Sequence, residues 1–364
     1  MELQKTVLSE DHIKLEAKMA AFAGFSMPIQ YTSVKNEVTS VREKVGIFDV
    51  SHMGEFLVTG SEAAKFVDFL ITNDFFEVED YKAVYSPLCR EDGTVIDDLI
   101  AYKISNDEVL ICVNASNIKK DWDWISNQAQ KFDVTLTDQS NDYSLLAIQG
   151  PNAPELLIKL GIMKKDEIEQ NTFPYYSIKR VSLEGNQIIV ARTGYTGEDG
   201  FEVFSPSPEM TKRLWSQAIE NGGTPCGLAA RDVLRLEVCY PLYGHELADN
   251  ITPLDASLKW TVKNKKPSFI GKDFLASYEP KYKLVKLALE KGIPREGYNI
   301  LNSNEEIIGK VTSGTLSVML NKGISLGLVE KEKFPKDKRF FIQIRKNIFE
   351  ATYQTKPFFK GGHK

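Results

Sequence analysis

At 364 residues the chain is too long for one small core and is expected to divide into two or three domains, each burying its own interior. Its 20 Phe and 14 Tyr, with no low-complexity runs, exclude extensive disorder, and a net charge of -5 without an aromatic-interleaved basic segment excludes nucleic acid as a partner. The N-terminus lacks an apolar signal core and no apolar run approaches a bilayer-spanning length, so the chain is expected to be neither exported nor embedded in a membrane.

In chain order, Ser9-Glu10-Asp11 caps a first helix running through Leu15, followed by a break at Gly24 and Pro28. A second helix spans Val34 to Lys44 and closes at Gly46. Short strands at Ile47 to Val50 and Glu55 to Val58 flank Ser51-His52-Met53-Gly54, a turn placed to form a pocket wall. From Ala83 to Asn114 the turn pairs Asp92-Gly93 and Asn106-Asp107 separate three β-rich runs of a meander. Helical patterning resumes at Ser116 and runs through Trp122 and Trp124. Strands then follow at Ser144 to Gln149, Tyr175 to Leu183, Gln187 to Thr193 and Phe201 to Phe204. A helix at Gly227 to Glu237 breaks at Pro241 and Gly244. Beyond residue 276 the texture changes to short β-rich runs at Leu284 to Leu289, Lys310 to Ser313, Ile324 to Val329 and Phe340 to Ile344, which predict a small antiparallel barrel. Strands and helices mixed without strict βαβ alternation indicate the α+β class.

The four cysteines, Cys89, Cys112, Cys226 and Cys239, lie far apart and read as reduced, mostly buried thiols. His12, His52, His245 and His363 form no metal-ligand spacing, so no protein-built metal site is expected.

Three constellations could carry chemistry. Asp97-Asp98 lie in the strand-like run Thr94 to Ile104, where successive side chains point to opposite faces, so only one carboxylate can face a pocket. Asp98 shares its parity with Ile96, Ile100, Tyr102 and Ile104, an apolar buried face, whereas Asp97 and Lys103 fall on a more solvated one; a β-bulge would reverse the assignment. A carboxylate on an apolar face is either a structural anchor or a working acid or base. The second constellation, Arg192 to Phe204, has three glycines but no phosphate-loop or EF-hand spacing; it reads as a strand-loop-strand element bending beside a ligand. Glu202 is then a partly buried carboxylate, suited to accept the adjacent ring N-H and exocyclic amine of a pterin or to pair with an arginine. In the third, the i, i+3 spacing of Asp232 and Arg235 suits a pair between the two, and Arg231, near the helix start, is a candidate ligand contact. Tyr85, Tyr102 and Tyr195 offer stacking surfaces or are core residues with satisfied hydroxyls.

At these residues the chain resembles the aminomethyltransferase, or T-protein, family of the glycine cleavage system. The resemblance is carried by Phe48 to Met53, Val95 to Ile100, Val113 to Ala115, Gln149 to Pro151, Arg192 to Glu202, Gly227 to Glu237 and Val311 to Gly314. It implies a three-domain cloverleaf folate-binding fold with a C-terminal antiparallel β-barrel. The expected core, 1-275, consists of two interleaved subdomains, roughly 1-52 with 142-250 and 53-141 with 251-275, and 276-364 form the barrel. It implies transfer of the aminomethyl carbon from the lipoyl arm of H-protein to tetrahydrofolate with release of ammonia, needing no metal. By the same resemblance Asp98 matches the carboxylate beside folate nitrogen 10, and Glu202, Arg231, Tyr195, Asn114, Tyr85, Tyr102 and Met53 match pocket positions.

Relatives on this fold include folate-dependent demethylases and a protein supporting iron-sulfur assembly, so a demethylase and a non-enzymatic folate-binding module are the alternatives. Val238 to Glu246 carries a Cys and a Gly-x-Glu like the latter, but two extra residues between Tyr240 and Tyr243 favour the aminomethyltransferase. His245 stands where such proteins often carry Gln. The lack of a transit segment points to a bacterial cytoplasm.

Overall fold

The structure is a computed structural model that describes residues 3–362; Met1, Glu2, His363 and Lys364 lie outside the described residues. The chain opens with β1 (Gln4–Lys5), α1 (Ser9–Lys14), β2 (Lys18–Phe22) and β3 (Phe25–Gln30), which form a small sheet in the order β1-β3-β2. The expected break at Gly24 is the turn of this hairpin. Pro28 sits inside β3 opposite Met19, where the register shifts, a place where a missing N-H is tolerated.

Next come α2 (Val34–Glu43), β4 (Gly46–Asp49), β5 (Gly54–Thr59), α3 (Ala63–Leu70), β6 (Lys82–Cys89), β7 (Val95–Ser105), β8 (Glu108–Val113), α4 (Ile118–Ala129) and β9 (Thr135–Asp138). The strands β6-β7-β8-β5-β9 make a five-stranded sheet. A second, six-stranded sheet has the order β11-β12-β13-β10-β4-β14, formed by β10 (Ser144–Gln149), β11 (Ile178–Leu183), β12 (Asn186–Ala191), β13 (Gly200–Ser205), β14 (Thr224–Pro225) and the earlier β4. Between these strands run α5 (Ala153–Lys159) and α6 (Pro208–Glu220); α7 (Leu228–Glu237) and α8 (Lys272–Ser277) follow.

The two sheets face one another across a shared core. Phe48, Leu145 and Phe204 from the six-stranded sheet meet Tyr102, Ile104 and Leu110 from the five-stranded one, and Val38, Val41, Ala230 and Leu234 of α2 and α7 close its side. Each sheet is covered on its other face as well. Leu156, Leu157, Leu214 and Trp215 of α5 and α6 cover the six-stranded sheet, and Phe66, Val67 and Ile125 of α3 and α4 cover the five-stranded one. A strand buried on both faces carries apolar residues at every position, so period-two alternation fades.

The C-terminal barrel is closed by β15 (Tyr282–Leu289), β16 (Asn299–Leu301), β17 (Ile307–Leu316), β18 (Gly323–Glu330), β19 (Phe340–Ile344) and β20 (Asn347–Gln354) in the order β15-β18-β17-β16-β19-β20. Closure removes the free edges that short strands would otherwise expose. Its interior is apolar, with Val285, Leu287, Ile300, Val311 and Phe340 at its centre. Among the described residues no helix is long and apolar enough to cross a membrane.

Candidate functional site

The site lies where β7, the loop 193–199 and α7 converge. On β7 the register to β6 shifts between Leu88 and Cys89, because Leu88 pairs with Asp97 and Cys89 with Val95, leaving Ile96 as the inserted residue. Beyond the bulge the parity is regular. Ile100, Tyr102 and Ile104 face the shared core, and Asp98 has their parity. Ile96 packs instead under α3 and α4 with Leu99 and Ala101. Two expectations are therefore corrected: Ile96 does not share the face of Asp98, and the face of Asp97 and Lys103 is buried, because helices cover it. Lys103 is satisfied there by the carbonyls of Phe76 and Val78, both at 2.7 Å.

Asp98, 9 % exposed, is held from two sides. The Tyr85 hydroxyl donates to its Oδ2 at 3.0 Å, and the Asn114 amide donates to its Oδ1 at 3.0 Å while also reaching Asp97 Oδ1 at 2.9 Å. Burial, followed by the neighbouring Asp97 charge, pushes the Asp98 carboxyl up to about 7, against the pull of the hydrogen bonds from Tyr85 and Asn114. A group so placed exchanges its proton near neutrality, as a general base or acid must.

Tyr85 and Tyr195 line a cavity of about 630 Å³ with Tyr176, Tyr240 and Trp260. Tyr85 and Trp260 lie stacked with centroids 5.9 Å apart, and Trp260 is 59 % exposed. A second cavity of about 390 Å³ joins Tyr195 to Arg231, His245 and the barrel residues Thr312 to Gly314. The Arg231 guanidinium lies over the Tyr195 ring, 4.6 Å from its centroid, and forms no salt bridge among the described residues. Its neighbour Arg235 is spent differently: it pairs with Asp232 at 2.7 Å and Glu246 at 3.0 Å and donates to Ser313 Oγ at 2.9 Å.

Glu202, half-buried on β13, accepts from the Thr193 and Tyr102 hydroxyls, both through Oε2, and makes no salt bridge among the described residues. Tyr102 itself is fully buried. Met53 is half-buried against the shared core, its N-H bonded to Val50 O at 3.1 Å. The structure thus brings Asp98 together with Tyr85 and Asn114, Glu202 with Tyr102, and Arg231 with Tyr195. Met53 has no polar contact with any of them.

The loop 193–199 is positioned by its surroundings. Gln149 Nε2 donates to Thr193 O at 3.1 Å and its Oε1 accepts from Thr196 Oγ at 2.8 Å. A Cβ at Gly194 would lie 2.0 Å from Gln149 Oε1, so a larger residue there would have to displace the Gln149 amide and the bonds it makes to the loop. Arg42 then ties loop to helix. Its guanidinium donates to Thr196 O at 2.7 Å and Glu198 Oε1 at 2.8 Å, and to Glu237 Oε2 at 2.8 Å on α7.

Several site residues had no local signal in the sequence. Tyr176, Tyr240 and Trp260 come from irregular segments, and only the fold delivers them to one cavity. Glu55 is buried with its acid pushed well up, by burial and then by Asp138 and Glu202, yet in sequence it is one polar residue at the start of a short apolar run. Among the described residues no group of three His, Cys, Asp or Glu side chains could hold a metal ion. Cys89, Cys112 and Cys226 are buried and Cys239 partly so, all of them free thiols.

Comparison with known proteins accounts for the whole chain. The family described as GCVT N-terminal domain matches residues 8–266, and the Glycine cleavage T-protein C-terminal barrel domain matches 283–360. The aminomethyltransferase of Thermosipho melanesiensis is 43 % identical over 367 aligned positions, covering 100 % of this chain and 99 % of that one. That of Thermotoga maritima is 44 % identical, covering 99 % and 98 % respectively. The crystal structure of the glycine cleavage system aminomethyltransferase T from Bartonella henselae superposes with a TM-score of 0.92 at 28 % identity, covering 100 % of this chain and 99 % of that one. Matched in both parts, in sequence and in fold, the chain belongs to the glycine cleavage T-protein family of aminomethyltransferases.

Proposed function

We propose that this protein takes the aminomethyl group carried on the lipoyl arm of H-protein, releases ammonia, and passes the one-carbon unit to tetrahydrofolate as 5,10-methylenetetrahydrofolate, in the cytoplasm. The observation that carries the reading is Asp98, a carboxyl poised near neutrality beneath the aromatic wall of the larger cavity. Closing the methylene bridge requires loss of a proton from the nitrogen that becomes its second anchor, and ionised Asp98 is the base positioned to accept it. Its charge also favours the cationic iminium formed as ammonia leaves.

Tyr85, Trp260 and Tyr195 supply flat faces for the folate rings. Glu202, whose two hydroxyl donors both reach Oε2, suits the pterin ring N-H and amine, and Arg231, without a salt bridge, suits an anionic group of a substrate. Asn114, Tyr102 and Met53 act from behind, by holding Asp98, holding Glu202 and filling the core edge. The decisive assay mixes the protein with aminomethyl-loaded H-protein and follows ammonia and methylene-folate, with and without tetrahydrofolate, with Asp98→Asn in parallel. Folate-dependent product that collapses in the variant is expected. Folate binding without product from loaded H-protein would replace this reading with a demethylase or a binding module.

A further inference from the structure

Behind Asp98, on the helix-covered face of the same sheet, Asp97 and Asp121 meet in the core between β7 and α4. Both are fully buried. Asp97 is well supplied with donors: Asn114 N at 3.1 Å, Asn114 Nδ2 at 2.9 Å and Asn117 Nδ2 at 2.7 Å. Asp121 is not. Neither of its oxygens accepts a hydrogen bond from a donor among the described residues; the side chain that bears on it across the core is Asp97, whose carboxylate opposes a second charge and can accept a proton-bearing O-H. Two carboxylates in such contact repel, and the contact closes only when one of them carries the proton. Asp97 has three N-H groups to stabilise a charge and Asp121 has none, so the proton belongs on Asp121. Burial and then the Asp97 charge push Asp121 up to about 11, with Lys120 pulling it the other way and Asp98 adding to the rise.

Asn114 connects this pair to the cavity, since one amide nitrogen donates to Asp97 and to Asp98. The chain of contacts runs from the Asp121 O-H to Asp97, through Asn114, to Asp98. We propose that Asp121 is a positioning residue for Asp98: it stays a neutral acid that donates its O-H to Asp97, and by binding that carboxylate it limits the field Asp97 exerts on Asp98. The inference rests on Asp98 being the working base. It assigns no chemistry to Asp121 itself.

Two variants and two readouts test it. Asp121→Asn keeps a donor toward Asp97 without a titratable proton; Asp121→Leu removes the donor. Asp98 faces Asp97 and Tyr85 on its own sheet and Tyr176 and Tyr195 across the cavity, and burial pushes these tyrosines up and out of the window. The limb of kcat/KM that is lost in Asp98→Asn is the one that reports Asp98 and not the buried acid Glu55. It is expected to stay in place in Asp121→Asn and to move up by on the order of one pH unit in Asp121→Leu, where Asp97 is less compensated. A limb that moves down in the Asn variant would mean that Asp121 was ionised, and a limb unmoved in the Leu variant would leave Asp121 a packing residue; either overturns the proposal.

Should the Leu variant not fold, infrared spectra at about pH 8 still decide, because ordinary aspartates are ionised there. The carbonyl band of a protonated carboxyl group present in the parent and lost in Asp121→Asn supports the neutral acid; an unchanged band overturns it. That measurement needs neither folate nor H-protein, so failure of the proposed reaction would not obscure it.

Discussion

Asp98 is neutral below about pH 7 and charged above it, because burial and Asp97 oppose its ionisation more than Tyr85 and Asn114 favour it. Activity that needs the charged form should therefore rise through about pH 7, and this limb should vanish in Asp98→Asn. The Tyr85 hydroxyl favours the charged form, so Tyr85→Phe should carry the limb to higher pH. Stability runs the other way. Between the ordinary carboxylate range and about 7 the folded state holds a proton that the unfolded chain has released, so folding weakens as pH rises through that window. Asp98→Asn should accordingly be more stable than the parent near pH 8 in chemical denaturation, by at most about 4 kcal/mol, less what is lost from the Tyr85 and Asn114 hydrogen bonds. Strand parity put Asp98 on the face of Ile100, Tyr102 and Ile104, where the structure has it, and left its role open. It misjudged Asp97 and Lys103 because the helices that bury them, α3 and α4, come from segments whose contact with β7 no local pattern records.

At the scale of elements, the loop 193–199 and helix α7 are joined by Arg42, which lies buried between Glu198 and Glu237. Removing the cation leaves two carboxylates in the core without their partner. Arg42→Leu is expected to cost roughly 3–5 kcal/mol in chemical denaturation, and to loosen Tyr195 against Arg231, which would weaken substrate binding more than turnover. The glycine-rich segment was legible as a bend, but its setting was not: Gly194 packs directly against the amide of Gln149, from a strand far away in sequence. The start of α2 was legible, and Ser33 caps it by accepting from Asn36 N. No helix was expected at α6, although Ser207 caps it by accepting from Met210 N, and the cap expected at Ser9 is not made: α1 starts after Leu8 with no side-chain cap.

For the whole molecule, barrel and core are joined along α7 and the segment after it. Arg235 reaches Ser313, the Thr312 hydroxyl reaches Glu246, and Glu237 accepts from Ser317 Oγ at 2.8 Å and Met319 N at 3.1 Å. Leu236 packs into barrel residues Ala288, Ile324 and Leu326. The texture change near residue 276 announced the barrel, but this seam depends on side chains from unrelated segments. We propose that the core divides into 1-52 with 142-250 and 53-141 with 251-275. Hydrogen exchange should then show the two segments of each unit opening with one free energy, although they are distant in sequence; segment-by-segment opening would count against the division.

Trp260 gives the protein a built-in optical reporter. Of the four tryptophans it is the exposed one that stacks on Tyr85 in the wall of the larger cavity, whereas Trp215 is buried in the core behind the six-stranded sheet. A flat, light-absorbing ligand entering that cavity must displace water from the indole face and should quench its emission, so titration of the parent and of Trp260→Phe would measure occupancy directly, without turnover and without the second substrate.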